Sequence, residues 1–148
     1  MPATRAPSLP PLVRAALLGA ATGSRSSLGL QAVARSTGNR TARRAAAVAV
    51  LGELVADKLP QTPSRLEPTG LGARVVSAAL GGAAVGRRAV AAPVAVVAAL
   101  GSAFGLHAAR VAVGRATGRP DTLVAVGEDA LALALGVLAR PPRGLLPA

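Results

Sequence analysis

We predict from the sequence an all-α fold, a polytopic membrane helix bundle of about five short transmembrane helices rich in Ala and Gly. Hydrophobic residues make up 51% of the 148 residues and charged residues only 16%, whereas soluble domains carry about 25% charged residues. The chain has one Phe and no Trp or Tyr, so it lacks the large side chains that a soluble core of this size normally buries. Small residues instead allow membrane helices to approach closely.

The charge of the chain indicates a membrane surface rather than a nucleic acid as its partner. The 17 basic residues outnumber the 6 acidic ones, which gives a net charge of +11. Arg residues without interleaved aromatic residues lack the stacking platforms of nucleic-acid binding. Arg residues between apolar segments favour contact with the anionic headgroups of a lipid bilayer. The absence of Cys excludes disulfides and thiolate metal sites.

The first predicted helix, at residues 12–34, follows an irregular Pro-rich tail at residues 1–11. Its middle contains the polar sequence Thr-Gly-Ser-Arg-Ser-Ser at residues 22–27. A polar, Gly-containing break within an apolar segment is typical of a discontinuous membrane helix that lines a cavity. We therefore expect the first helix to be broken.

Four further helices complete the predicted bundle domain, which spans residues 12–139. They are predicted at residues 45–59, 71–86, 89–109 and 122–139, and a short tail follows at residues 140–148. The helix at 89–109 gives the clearest signal, because its first eighteen residues carry no charge. The sequence Ala-Val-Leu-Gly-Glu ending at Glu53 resembles Ala-Val-Gly-Glu ending at Glu128, which indicates a weak internal repeat.

Five crossings would leave the two ends of the chain on opposite sides of the membrane. When the basic residues are assigned to loops on this basis, eight fall on each side. Since the excess of Lys and Arg in cytoplasmic loops is what fixes orientation, the sequence leaves the orientation open.

The acids of the second helix are the strongest indication of a functional site. Glu53 and Asp57 are four residues apart, so they share one face of a helix that is otherwise apolar. Carboxylates in such a segment are costly unless they are paired, hydrated or protonated. We expect Glu53 to be buried against a partner, and we expect Lys58 to reach the interface beside Pro60.

Arg25 lies near the centre of the first helix and needs either a carboxylate or water. Glu53 and Glu128 are the candidate partners, and the alternative is that the helix breaks and leaves Arg25 hydrated. Glu128 and Asp129 are adjacent and point about 100° apart on a helix. We therefore expect one of the two to face the interior of the bundle and the other to reach the headgroups or a neighbouring helix.

His107 and Arg110 are candidate accessory residues near the end of the fourth helix. A lone His is more often an interfacial residue than a ligand, and a metal site would require His107 to meet Glu53, Asp57 or Glu128 across helices. The sequence contains no zinc spacing, phosphate-binding loop or nucleophile elbow. We therefore expect no enzyme activity and no cofactor, and the question of a metal stays open.

Several of these elements together resemble a family of bacterial membrane proteins known as domain of unknown function 4126. The similar elements are Glu53-x-x-x-Asp57-Lys58-x-Pro60 with a Pro-bearing loop and Arg74 after it, Gly23-x-Arg25-Ser26, His107-x-x-Arg110 and Glu128-Asp129. They cover residues 12–139 in order, although this chain has fewer aromatic residues than the family. The resemblance implies an integral, multi-helix bacterial membrane protein and no established activity.

Two functions are consistent with these observations. The first is a small transporter or channel for protons or small cations, homo-oligomeric and multi-pass in the inner membrane, with a polar site formed by Arg25, Glu53, Asp57, Glu128 and Asp129. The second is a structural or assembly membrane protein whose buried charges only fix the packing of the helices. A soluble, basic nucleic-acid-binding protein is a weaker third alternative.

Overall fold

The computed structural model describes residues 9–56, 67–117 and 121–140, and all regular structure in these ranges is helical. The helices are α1 Pro11–Ser24, α2 Ser27–Ser36, α3 Arg40–Ala56, α4 Pro68–Val85, α5 Arg88–Thr117 and α6 Asp121–Leu138. The prediction of an all-α fold is confirmed, and the described ranges contain six helices rather than about five. The difference arises because the first predicted helix is two helices.

The break between α1 and α2 is a single extended residue. Arg25 has φ −135° and ψ 101°, which ends α1, and the chain resumes helical geometry at Ser26. The N-termini of α4 and α3 are each explained by one residue of the sequence. Pro68 occupies the first turn of α4, where its missing N–H is not needed. Asn39 caps α3, because its Oδ1 accepts hydrogen bonds from the backbone N–H groups of Thr41 and Ala42 at 2.8 and 3.1 Å.

At this break the chain turns back, so α1 and α2 form a helical hairpin rather than one spanning helix. Two contacts at the C-terminal end of α4 show this reversal. Gly86, directly after α4, lies beside Pro11 at the start of α1, and Ala84 lines a cleft together with Ser36 at the end of α2. The hairpin tip, defined as residues 24–27, lies at the other end of α1, beside Arg74. Both outer ends of the hairpin therefore lie at the same end of the bundle.

This reversal overturns the predicted arrangement in which the described chain ends lie on opposite sides. Because α1 starts and α6 ends beside Val85, both lie at one end of the bundle. We call this the arginine end, since eight of the described Arg residues lie in its helix termini and loops. They are Arg14, Arg35, Arg40, Arg43, Arg44, Arg87, Arg88 and Arg140. The predicted split placed Arg14 and the start of α1 on the opposite side, whereas the structure places both at the arginine end.

The core is built from small side chains, which lets the helices approach at backbone distance. Ala15, Ala78, Ala95 and Ala99 are fully buried in one cluster that joins α1, α4 and α5. Where α2 crosses α4, a Cβ atom on Gly81 would lie 2.9 Å from the Cα of Gly29. No side chain fits at this crossing, which agrees with the expected use of small residues for close packing.

One described helix meets the length and hydropathy of a membrane span, and it is α5. Only 22% of its most apolar window is buried within the protein, whereas the core helix of a soluble protein would be mostly covered. The predicted set of five spans is therefore supported at α5 alone, and a multi-pass arrangement stays a prediction.

The close crossing of α2 and α4 leads to a first prediction. Gly81→Val inserts a branched side chain against the backbone of Gly29, so the free energy of unfolding should fall by about 1–3 kcal/mol or more. Gly72→Val is the matched control on the same helix, because no atom lies within 4 Å of its added Cβ. Thermal unfolding of both variants in detergent measures the difference. Equal melting temperatures for the two variants would contradict the packing described.

Candidate functional site

The hairpin tip brings together charged residues from three other helices, and its own geometry explains why. A helix leaves its last C=O groups and first N–H groups without intrahelical partners. At the tip the C-terminus of α1 and the N-terminus of α2 meet inside the bundle. The partial charges of the two termini are opposite, negative at the end of α1 and positive at the start of α2. The tip therefore needs hydrogen-bond donors on one side and acceptors on the other.

Glu53 of α3 supplies the acceptors for the start of α2. Its Oε1 accepts hydrogen bonds from the backbone N–H and hydroxyl of Ser26, at 2.8 and 2.9 Å. Its Oε2 accepts from the backbone N–H of Ser27, at 2.9 Å, and from the Ser27 hydroxyl. A carboxylate at a helix N-terminus is the favourable arrangement for both hydrogen bonding and the helix dipole. Glu53 therefore has the partners expected of it at both oxygens, whereas its side chain is half-buried rather than buried.

Arg74 of α4 and Ser102 of α5 supply the donors for the end of α1. Arg74 Nε donates to the carbonyl of Gly23 at 2.9 Å, and its Nη1 donates to the carbonyl of Gly70 at 2.9 Å. The Ser102 hydroxyl donates to the carbonyl of Ala20 at 2.8 Å. A guanidinium at a helix C-terminus complements the partial negative charge there.

Arg25 joins the tip to α3 and α6. Its side chain is 0% exposed, its Nη2 forms an ion pair with the carboxylate of Asp129, and its Nη1 donates to the carbonyl of Glu53 at 3.1 Å. Of the two alternatives left open for Arg25, the structure has the carboxylate partner, although the helix also breaks at this residue. The partner in the structure is Asp129, whereas the sequence analysis named Glu53 and Glu128.

Glu128 makes a separate pair with Arg110 of α5, in which Arg110 Nη2 lies 2.7 Å from Glu128 Oε2. Glu128 and Asp129 are both buried. Asp129 faces the hairpin tip and Glu128 reaches the neighbouring helix α5, which is one of the two arrangements expected for this adjacent pair. Adjacent residues point about 100° apart, and here α6 lies between the hairpin tip on one side and α5 on the other.

The structure places one of the remaining candidate residues, His107, away from the hairpin tip. His107 is exposed on α5 and joins no cluster, and the described residues contain no group of three potential metal ligands. Asp57 and Lys58 lie outside the described residues. The site prediction missed Ser26 and Ser27 of the tip, and it missed Arg74 and Ser77 of α4, which bond to the tip or directly beside it. A Ser pair directly after a helix break is a signal for the start of a second helix, because Ser is favoured at N-caps.

In comparisons with family models, curated proteins and solved structures, the chain matches none of them. The resemblance to domain of unknown function 4126 therefore stays a prediction.

The contrast between the two ion pairs gives a second prediction. Asp129→Asn removes the carboxylate from an ion pair whose Arg25 is fully buried, and breaking a buried pair from one side costs about 3–5 kcal/mol. Glu128→Asn removes the acid of a pair whose Arg110 is one-quarter exposed, so its effect on the free energy of unfolding should be smaller. Urea unfolding in mixed micelles measures both.

The matched rescue is the exchange of the two charges, Arg25→Asp together with Asp129→Arg. It should recover part of the stability that Arg25→Asp alone loses, because the pair is restored in the same interior. Additive losses in the double variant would show that the two side chains do not interact.

Proposed function

We propose that this chain is a multi-pass membrane protein in which α3, α4, α5 and α6 cross the bilayer and the α1–α2 hairpin is re-entrant. Irregular backbone at membrane depth is tolerated only where protein or a water-filled cavity surrounds it. The tip at residues 24–27 meets this condition, since Glu53 and Ser77 bond backbone groups of Ser26. Arg74 bonds the carbonyl of Gly23, directly before the tip. The resemblance to the bacterial membrane proteins of domain of unknown function 4126 is part of this proposal, which places the chain in the inner membrane.

The distribution of side chains supports a lipid environment. Large apolar side chains are exposed on the outside of the bundle, among them Val48 at 67%, Val97 at 71% and Phe104 at 51%. The most buried large side chain is that of an arginine, Arg25. A soluble protein buries its large apolar residues and solvates its charges. The opposite arrangement is favourable when the surrounding solvent is hydrocarbon.

The role that the geometry supports best for the charges is structural: they hold the re-entrant hairpin in the bundle. One observation carries this conclusion, namely that both carboxylate oxygens of Glu53 are already occupied by four hydrogen bonds from Ser26 and Ser27. A carboxylate with four donors offers little room for a cation, and a proton on either oxygen would compete with the hydrogen bonds which that oxygen accepts. This supports the assembly role over an open ion site.

A small transporter or channel for protons or small cations is the second candidate function. It rests on Ser24, which is 2% exposed and whose Oγ has no hydrogen-bond partner within the described part of the chain. An unsatisfied buried hydroxyl beside a re-entrant tip is a place where water or an ion could bind. In this interpretation the structure is the closed state, and the chain has no enzyme activity in either case.

The third prediction separates these two functions. Glu53→Gln removes the charge from four hydrogen bonds at the tip and turns one acceptor oxygen into a donor amide. The free energy of unfolding should therefore fall by about 1.5–3 kcal/mol or more. Liposomes that contain the wild-type chain should show the proton and potassium flux of empty liposomes. Glu67→Gln, at an exposed residue, is the control. Flux that Glu53→Gln abolishes at unchanged stability would instead establish the transport function.

The fourth prediction concerns topology. Because the arginine end holds eight of the described Arg residues, it should lie in the cytoplasm by the positive-inside rule. Since the chain has no native Cys, Leu9→Cys, Asn39→Cys and Arg140→Cys each supply a single label site at this end, and Ala116→Cys supplies one at the other end. Impermeant maleimide added to intact spheroplasts should label Ala116→Cys alone. Labelling of Leu9→Cys but not Asn39→Cys would mean that α1 and α2 cross the membrane as one helix.

A further inference from the structure

A narrow cleft opens at the arginine end, where the outer ends of α1 and α2 lie, and the hairpin tip is at the other end of these helices. It lies between α1, α2, α4 and α6 and has about 450 Å³ of space, including the part open to solvent. Its walls are formed by apolar side chains and glycine, chiefly Leu18, Leu28, Val85 and Gly136. Arg35 and Arg140 also line it. The cleft is therefore apolar along its walls and cationic at the helix ends.

The arginines around this cleft repel one another. Burial lowers the pKa of Arg35, which lies in the last turn of α2, and the charges of Arg140 and Arg43 lower it further. The helix termini at this end do not offset the repulsion. Three N-termini (α1, α3 and α5) and three C-termini (α2, α4 and α6) meet there, so their partial charges nearly cancel. No acid precedes Glu53 in the sequence, and none of the described acids lies in the arginine end.

Arg14 provides a second, independent sign of a ligand. It is only 8% exposed, and its Nε and Nη1 have no hydrogen-bond partner among the described residues. Because it precedes Leu18 by four residues, it lies on the same face of α1, one turn closer to the arginine end. A buried guanidinium with two unsatisfied nitrogens is costly unless an anion binds it.

We propose that this cleft binds an anionic lipid, with its phosphate between Arg14, Arg35 and Arg140 and one acyl chain along Leu18, Leu28 and Gly136. The planar guanidinium matches the oxygens of a phosphate in a bidentate fork. The apolar walls distinguish the lipid from a free phosphate ion, which would gain nothing from them. This site is separate from the hairpin tip, and its occupancy does not depend on whether the tip conducts ions.

The first arm of the test concerns the charge. The full chain in a neutral maltoside detergent is titrated with phosphatidylglycerol, phosphatidylcholine and inorganic phosphate, and binding is followed by native mass spectrometry. Phosphatidylglycerol should bind at least about tenfold more tightly than the other two, and Arg35→Gln should weaken it about tenfold or more. Arg87→Gln is the control, since it removes an equal charge from the same end at an exposed residue outside the cleft.

The second arm concerns the acyl chain and leaves every charge in place. A Cβ atom on Gly136 meets only the side chain of Leu28, at 3.7 Å, so Gly136→Leu fills the cleft without striking backbone. It should weaken phosphatidylglycerol binding about tenfold while the melting temperature of lipid-free protein is kept. Gly127→Leu, on the same helix with open space around its added Cβ, should bind as the wild type does.

Three outcomes would overturn the proposal. Equal binding of phosphatidylcholine and phosphatidylglycerol would remove the role of the arginines. Inorganic phosphate that binds as tightly as the lipid, or Gly136→Leu that binds phosphatidylglycerol normally, would mean that the arginines take a free anion and that the cleft holds no acyl chain. The measured flux and the stability of tip variants bear on the proposed function alone, so the two proposals fail separately.

Discussion

The bond between the Glu53 carboxylate and the start of α2 is the interaction on which the rest of the structure depends. A helical hairpin that turns inside a bundle leaves N–H groups at one helix terminus and C=O groups at the other without intrahelical partners. Glu53 bonds the N–H groups of Ser26 and Ser27, while Arg74 bonds the carbonyl of Gly23. Without these partners the N–H and C=O groups beside the turn at Arg25 would lose their hydrogen bonds, and the turn would be unfavourable.

The fixed tip also explains where the other charges lie. Arg25, held at the turn, faces Asp129 of α6, and this pair draws α6 against the hairpin. Glu128 then faces α5 and pairs with Arg110. Small residues make the network possible, because the approach of α2 to α4 at Gly29 and Gly81 leaves no room for side chains. Charges inside and apolar residues outside are thus two consequences of one packing arrangement.

The sequence predicted the features that depend on local pattern and missed those that depend on direction. The all-helical fold, the break in the first predicted helix, the existence of a partner for Glu53 and a carboxylate as one of two alternatives for Arg25 followed from composition and spacing. The reversal at the break did not, because one extended residue gives the same pattern whether the chain continues or turns back. The reversal in turn moved Arg14 to the arginine end and brought Asp129 to Arg25, neither of which periodicity can show.

The distance between spin labels at Leu9→Cys and Asn39→Cys tests the reversal most directly, because the two residues lie at the outer ends of α1 and α2. If residues 9–39 formed one continuous helix, thirty residues at 1.5 Å each would separate the labels by about 45 Å. In the hairpin the two labels lie at the same end of the bundle. Double electron–electron resonance in lipid should then give a label-to-label distance of about 10–25 Å, as expected for neighbouring helices with the label linkers added. A single population near 45 Å would contradict the account.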